Sequence, residues 1–278
     1  MEGCPAMNEF SKKHPILFGV LLFFAALLAA VPFSVLAGGV GAGEEGGAAG
    51  RLIVGCILLL LFRSCFRQGR PFSGLVWILP ALLFPLWNIV YHLVCGMGTL
   101  KPAEALPAAL LLGFAPAVFE EVIFRGILIA KLREHGTAVR GALWISSLLF
   151  GAAHLTNLVG TRLIDVLVQT GYAIVIGLVL GTIYLKSGDI AAAILAHALT
   201  DVSSRIFVSS PDQTPAPMLV AFVLLLIVEA GYALWLTKRI PDAREDRTIP
   251  EPDGEVDMNQ TRRQKEAYKN ESSHLSDL

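Results

Sequence analysis

Charged residues are scarce in this sequence. Only 16% of its 278 residues are Asp, Glu, Lys or Arg, whereas a soluble domain usually carries about 25%. The mean hydropathy is +0.62, and the net charge of −1 excludes a strongly basic nucleic-acid-binding protein. The four cysteines show no paired metal-ligand spacing. A chain of this composition is expected to lie in a membrane.

Common catalytic motifs are missing as well. The sequence contains neither His-Glu-x-x-His, which places two zinc ligands on one helix face, nor Gly-x-Ser-x-Gly, which exposes a nucleophilic serine. It also shows no repeat of about 20–50 residues and no second soluble domain. The missing repeat disfavours a carrier built by internal duplication.

Long apolar stretches are what the sequence does contain. A membrane-spanning helix needs about 20 apolar residues, and its backbone must be helical because lipid offers no hydrogen-bond partner. We therefore predict an all-α polytopic membrane protein with about eight transmembrane helices. The predicted spans are residues 15–37, 46–62, 73–95, 104–130, 138–156, 163–185, 189–208 and 216–237. The second span is the weakest, because seven glycines and two glutamates in residues 38–50 predict a flexible external loop.

The loop charges predict an orientation. With the N-terminus inside, eleven Lys and Arg residues fall on the inner side of the spans and four fall on the outer side, as the positive-inside rule requires. Both termini are then cytoplasmic. We expect a cytoplasmic N-terminus at 1–14, an eight-helix membrane domain at 15–237, and a cytoplasmic, disordered tail at 238–278. The inner cations are Lys12, Lys13, Arg63, Arg67, Arg70, Lys131, Arg133, Arg140, Lys186, Lys238 and Arg239, and the outer ones are Arg51, Lys101, Arg162 and Arg205.

Three predicted spans carry ionisable residues whose burial in lipid is unfavourable, by at least about 2.5–3.5 kcal/mol for a charge near the bilayer centre. In the fourth span, Glu121 and Arg125 are four residues apart and can pair on one helix face. Glu120 is turned by about 100° from Glu121, and an unpaired buried acid suits proton transfer. The alternative for Glu121 and Arg125 is an ion pair that only stabilises the helix.

The fifth and seventh spans contribute the histidines. His154 follows Phe150 by one turn, so Phe150 is expected to pack against the imidazole and orient it. His197 and Asp201 share a face at a spacing of four residues, where Asp201 can fix the tautomer of the ring. Each of these residues could instead be a satisfied structural polar group. Convergence of three such spans would favour catalysis over that interpretation.

Two hydrolytic chemistries and one non-enzymatic function fit these residues. A glutamate can take a proton from water while the histidines stabilise the developing oxyanion and the leaving group. Alternatively, His154, His197, Glu120 and Asp201 could bind zinc, which activates water as a Lewis acid. A proton-coupled carrier would use similar intramembrane residues. We favour hydrolysis without a cofactor, and zinc remains the alternative.

Taken together, the motifs Glu120-Glu121-xxx-Arg125, Phe150-xxx-His154 and His197-xxx-Asp201 resemble those of the CPBP family of intramembrane proteases. This family is also called the Abi or CAAX-protease family and includes the eukaryotic prenyl-protein CAAX endopeptidase. The resemblance covers about residues 105–205 and implies an endopeptidase whose site lies within the bilayer. It implies a general base at Glu120 supported by Glu121 and Arg125, a water-binding role for His154, and oxyanion stabilisation by His197 and Asp201.

The sequence departs from the CAAX endopeptidase pattern at Asp201, where that branch typically has Asn. An ionised Asp cannot donate a hydrogen bond to an oxyanion, so Asp201 would have to be protonated, orient His197 or bind a metal. The resemblance implies membrane-associated or lipidated protein or peptide substrates, approaching laterally or from the cytoplasm, and no nucleic-acid partner. It also leaves a bacteriocin-immunity function without hydrolysis as an alternative. We expect an integral protein of a bacterial plasma membrane, in contact with its lipids.

Overall fold

The described part of the chain is almost entirely helical. The computed structural model describes residues 9–66, 69, 73–209 and 216–240. Its α-helices are α1 (Glu9–Lys13), α2 (Pro15–Gly38), α3 (Gly43–Leu61), α4 (Leu83–Ile89), α5 (Leu106–Glu121), α6 (Ile129–Glu134), α7 (Val139–Ala153), α8 (Leu163–Ser187), α9 (Ile190–Arg205) and α10 (Ala216–Thr237). Short 3₁₀ turns lie at Arg63–Cys65, Leu75–Trp77, Pro80–Leu82, Ala103–Ala105 and His154–Leu158. The predicted all-α class is confirmed.

Two helices change their winding. A π-helical turn at Val90–Val94 extends α4, and a longer π-helical segment at Val122–Leu128 joins α5 to α6 without a break in the rod. The small amount of extended structure is an antiparallel ribbon of β1 (Gly98–Leu100) and β2 (Phe207–Ser209), in which Thr99 faces Val208. This ribbon connects the end of the α4 segment to the end of α9.

Four helical segments among the described residues are long and apolar enough to cross a membrane. They are Pro15–Gly38, Ala103–Glu134, Leu163–Ser187 and Pro217–Thr237, and a shorter apolar helix covers Pro80–Val94. The other predicted spans coincide with elements that are shorter or more polar. The helix α7 has 15 residues and α9 has 16, while α3 has 19 residues and carries Glu44, Glu45 and Arg51.

The prediction of a flexible loop over residues 38–50 is wrong, because α3 already begins at Gly43. Its glycines lie where α2 and α3 touch. A Cβ on Gly46 would lie 2.5 Å from the Phe33 carbonyl oxygen, and one on Gly50 would lie 2.9 Å from that of Ala30. The glycines therefore serve close helix packing, and glycine content alone misled the prediction.

Small residues also set the distances between the helices that carry the polar motifs. A Cβ on Gly113 of α5 would lie 2.7 Å from the backbone nitrogen of Val202 in α9. Gly177 and Gly181 of α8 contact Ser147 and Leu143 of α7 in the same manner. Asp189 directly precedes α9, and its carboxylate accepts a hydrogen bond from the Ala191 amide and caps the helix.

The central element is the α5–π–α6 rod. Its residues 119, 122–125 and 127–129 are at most 3% exposed, because α2, α3, α7 and α9 pack around it. The outward faces of α2, α8 and α10 carry many exposed aliphatic side chains, including Leu28, Leu167 and Val220. An apolar outer surface around a packed centre is what a helix bundle in lipid requires. The predicted tail beyond residue 240 and the first eight residues lie outside the described residues.

Candidate active site

The adjacent glutamates of the central rod occupy different environments. Glu120 and Glu121 are the last residues of α5, and the π-helical segment that follows contains Arg125. The Glu120 side chain is 21% exposed, whereas those of Glu121 and Arg125 are fully buried. A π-helical segment at this position is typical of functional sites, since it redirects side chains without ending the helix. The two carboxylates therefore cannot share one role.

Glu121 connects two helices. Its Oε1 lies 2.9 Å from NH1 of Arg125, which is the ion pair expected from their spacing. The same oxygen lies 2.9 Å from Nδ1 of His197 in α9. A carboxylate oxygen accepts hydrogen bonds, so Nδ1–H of His197 donates to Glu121. This bond fixes the orientation of the His197 ring and directs its Nε2 away from Glu121.

Two further carboxylates face the other nitrogen of His197. Its Nε2 lies 3.8 Å from Oε2 of Glu120 and 3.8 Å from Oδ2 of Asp201. Both distances exceed that of a direct hydrogen bond. The sequence offered Asp201 as the group that orients His197, but the hydrogen-bond partner at Nδ1 is Glu121. Asp201 instead lies with Glu120 on the side of the ring that faces open space.

His154 reaches this space from the end of α7. Its Nδ1 lies 2.9 Å from the carbonyl oxygen of Phe150, and because a carbonyl only accepts, Nδ1 carries the hydrogen. In the neutral ring, Nε2 is then an acceptor. The Phe150 ring meets the His154 ring edge-on at 5.0 Å between centroids, which matches the predicted packing.

Phe150 also joins the two histidines to the buried ion pair. Its ring lies edge-on to His197 at 5.7 Å between centroids, and the Arg125 guanidinium carbon lies 4.2 Å from the ring centroid. A cation over an aromatic face is stabilised electrostatically, more so where water is excluded. A single aromatic side chain thus contacts members of all three motifs.

One cavity of about 630 Å³ unites the site. Four predicted site residues line it: Glu120, His154, His197 and Asp201. Glu121 and Arg125 lie behind this wall, buried in the protein. The structure thus brings the six residues together in two layers, with one acid, two imidazoles and a second acid facing the cavity above a buried ion pair.

The sequence prediction missed polar residues that α4 contributes to the cavity. Asn88 lines the cavity and donates from Nδ2 to Oγ of Ser203 at 2.8 Å. His92 lines it one turn later, with Nδ1–H donating to the Asn88 carbonyl at 2.7 Å and its ring stacked on Phe207. The signal was present in the sequence as a polar pair four residues apart in an apolar span. Arg51, Tyr172 and Arg205 also line the cavity.

The proposed zinc ligands do not form a metal site in this arrangement. Within the part of the chain that the structure describes, no group of three or more His, Cys, Asp or Glu side chains is arranged to hold a metal ion. The Nδ1 atoms of both histidines are engaged by Phe150 and Glu121. Metal-binding histidines also hold one ring nitrogen in this way, so what speaks against zinc here is that the candidate ligands are not grouped around one point.

Comparison with known proteins is consistent with the motifs. Residues 102–203 match the model of the family described as Rce1-like, type II CAAX prenyl endopeptidase Rce1-like. The matched region includes α5, α7, most of α9 and all six predicted site residues. No curated protein and no solved structure matches the chain.

Proposed function

We propose, from the match of residues 102–203 to the Rce1-like type II CAAX prenyl endopeptidase family, which is a family of proteases, that the chain is an intramembrane endopeptidase. Its reaction would proceed through water activated by Glu120 and His154. The observation that carries the proposal is the shared cavity. An acid and two histidines from three separate helical segments line it. The two histidines are held by hydrogen bonds to the Phe150 carbonyl and to the buried Glu121.

Glu120 is the proposed general base. It is the one of the two glutamates that lines the cavity, and its side chain is partly exposed to it. Water bound there would donate hydrogen bonds to Glu120 and to the free Nε2 of His154. Glu120 takes a proton as the water oxygen attacks the peptide carbonyl carbon, and it delivers that proton to the leaving amine nitrogen when the C–N bond breaks.

His197 is the proposed oxyanion donor. Its Nδ1–H is held by Glu121, so only the doubly protonated ring has a hydrogen on Nε2 to donate to the oxyanion. Glu120, Glu121 and Asp201 surround the ring and balance its charge. Asp201, being an acceptor when ionised, serves to hold His197 in this form and does not itself contact the oxyanion.

The same proposal includes a membrane arrangement. Eight helical segments coincide with the eight predicted apolar stretches, which supports a multi-pass protein of a bacterial plasma membrane with both termini in the cytoplasm. Residues 15–237 would form the membrane domain, flanked by cytoplasmic segments at 1–14 and 238–278. Substrates would be membrane-associated or lipidated proteins or peptides, since the site lies among apolar helices.

The decisive experiment replaces the proposed base. Purified protein in detergent or liposomes should cleave a membrane-tethered peptide, and Glu120→Gln should reduce the rate by about 10²–10⁴-fold, the usual contribution of a positioned general base. Glu104→Gln is the matched control, because Glu104 is exposed on the same rod and does not line the cavity. Undiminished cleavage by a folded Glu120→Gln protein would contradict the assignment.

Metal dependence is tested separately. Because the described residues offer no grouped metal ligands, cleavage should persist in the presence of chelators, and metal analysis of active protein should find no stoichiometric zinc. Loss of cleavage on chelation that added zinc restores would contradict this proposal. It would favour the zinc-dependent mechanism with ligands repositioned from the arrangement described above.

A further inference from the structure

The helix ends of this bundle fall into two chemically different sets. At one end, Lys186 Nζ donates to the Arg239 carbonyl at 3.4 Å, and the Gly69 amide donates to the Gly188 carbonyl. Nδ1–H of His135 donates a hydrogen bond to the Lys12 carbonyl oxygen at 2.8 Å. We call this the cationic end, and among the described residues it comprises 12–14, 63–66, 69, 73–74, 131–140, 186–189 and 238–240, where Lys and Arg residues concentrate.

The opposite end is formed by the β-ribbon and its neighbours. The Lys101 amide donates to the Ile206 carbonyl at 2.8 Å, and Cys95 Sγ lies 3.3 Å from Met218 Sδ. Asn157, after α7, donates to Gln169, near the start of α8. We call this the ribbon end, and it comprises residues 95–102, 156–169, 204–209 and 217–219. The two ends lie on opposite sides of the bundle, as the antiparallel contacts of α7 and α8 show. Gly181 contacts Leu143, and Gly151 contacts Thr170.

The cavity lies on the ribbon side of the bundle. Glu120 precedes Lys131 of the cationic end by eleven residues, which is about 16 Å along a helix. His154 follows Arg140 by fourteen residues, or about 21 Å. The shallower lining residues Asn157, Ser204 and Met218 belong to the ribbon end itself. The cavity therefore runs from mid-depth at the glutamate to the ribbon end.

Below Glu120, the bundle is closed toward the cationic end. Ile123, Ile127, Leu128 and Leu132 of the central rod are at most 1% exposed. No residue from 121 to 134 lines the cavity. By contrast, Thr156, Asn157 and Ser204 line it and are exposed. The cavity therefore has an open, polar rim at the ribbon end, where a polar substrate segment can enter. Toward the cationic end it is closed by packed apolar side chains.

The concentration of Lys and Arg at one end fixes that end in the cytoplasm by the positive-inside rule. We propose that the catalytic cavity opens on the extracytoplasmic side of the membrane, so that its substrates are peptide segments presented at that face. This inference rests on the proposed function for its substrate class, and on the cavity geometry for its direction. It differs from the cytoplasmic or lateral approach that the sequence motifs implied.

Paired serine-to-cysteine variants test the direction without relying on activity. Ser204→Cys places a thiol at the exposed cavity rim, and Ser64→Cys is its matched control at the exposed cationic end. Both are made in full-length protein whose four native cysteines are replaced by serine, and each variant must elute as a single species in size-exclusion chromatography. A membrane-impermeant maleimide is then applied to intact cells and to everted membrane vesicles.

Ser204→Cys should be labelled in intact cells, and Ser64→Cys only in everted vesicles. The reverse pattern, labelling of Ser204→Cys from both sides, or no labelling of it from either side would overturn the proposal. A second measurement adds a water-soluble fluorogenic peptide to right-side-out and everted vesicles, with cleavage expected in the former. Cleavage only in everted vesicles would overturn the direction. Cleavage in neither, even after detergent, would contradict the peptidase function and leave the labelling to decide the direction.

Discussion

Neighbouring glutamates on one helix acquire different properties because their surroundings differ. Glu120 faces the cavity, while Glu121 is enclosed with Arg125 and His197. The sequence could predict the Glu121–Arg125 pair, because a spacing of four residues is a local property of a helix. It could not predict the Glu121–His197 bond, because that contact depends on where α9 packs, 76 residues away.

Removing Glu121 should destabilise the protein strongly. In Glu121→Ala, the fully buried Arg125 loses its partner, and an uncompensated buried charge costs about 3–5 kcal/mol. The thermal unfolding midpoint of the purified protein in detergent should fall by several degrees. The double variant Glu121→Gln/Arg125→Met should recover much of the stability without recovering cleavage, because His197 still lacks its carboxylate.

The control for this prediction is the exposed ion pair between Arg162 and Asp165. These side chains are 81% and 45% exposed, so solvent screens their interaction. Asp165→Ala should leave the unfolding midpoint nearly unchanged. Equal losses in Glu121→Ala and Asp165→Ala would show that the buried network does not have the stabilising role derived for it.

At the level of helices, the sequence was most informative about apolar length and least informative about contact. The apolar stretches predicted the positions of the helices. The prediction of a loop over residues 38–50 was wrong, because a glycine's role in packing depends on its neighbour. Residues 73–95 form 3₁₀ turns, α4 and a π-turn, not one continuous α-helix, and Pro80 and Pro85 each remove a backbone donor from this stretch. The contribution of the α4 segment to the cavity was missed, because the sequence does not show which helix packs against it.

Gly113 should control the distance between the helices that carry the acids and His197. In Gly113→Ala, the new Cβ would lie 2.5 Å from Cγ2 and 2.7 Å from the backbone nitrogen of Val202. Since backbone cannot move aside freely, α5 and α9 must separate, at a cost of about 1–3 kcal/mol. We expect a lower unfolding midpoint and a reduced kcat, because Glu120 and Glu121 move relative to His197.

Gly171→Ala provides the comparison, because a Cβ there meets no atom within 4 Å. Replacing this helical glycine by alanine should leave activity intact and stabilise α8 slightly, by about 0.5–1 kcal/mol from helix propensity alone. If Gly113→Ala behaved like Gly171→Ala in both measurements, the close approach of α5 and α9 would not be what positions the site.

For the whole molecule, charge and apolarity together determine how the bundle is placed. The exposed aliphatic surfaces of α2, α8 and α10 suit a lipid environment, and the clustering of cations at one end supports the proposed orientation of the bundle. The sequence could predict both, because apolarity is a sum over the chain and the sidedness of the charges follows from the order of the apolar stretches. The side on which the proposed cavity opens could not be predicted, since it depends on which helix ends the site residues approach together.

The second predicted span is the most sensitive test of the eight-span arrangement. The helix α3 has 19 residues, or about 28 Å, and it carries three charges in its first half, so its crossing depends on lipid and on α2. Full-length variants carrying a single cysteine at Val40 or Ser64, on either side of α3, should react with an impermeant maleimide from opposite sides of the membrane. Val40, 83% exposed, should react from outside. Reaction of both from one side would mean that α3 does not cross, which would place the two termini in different compartments.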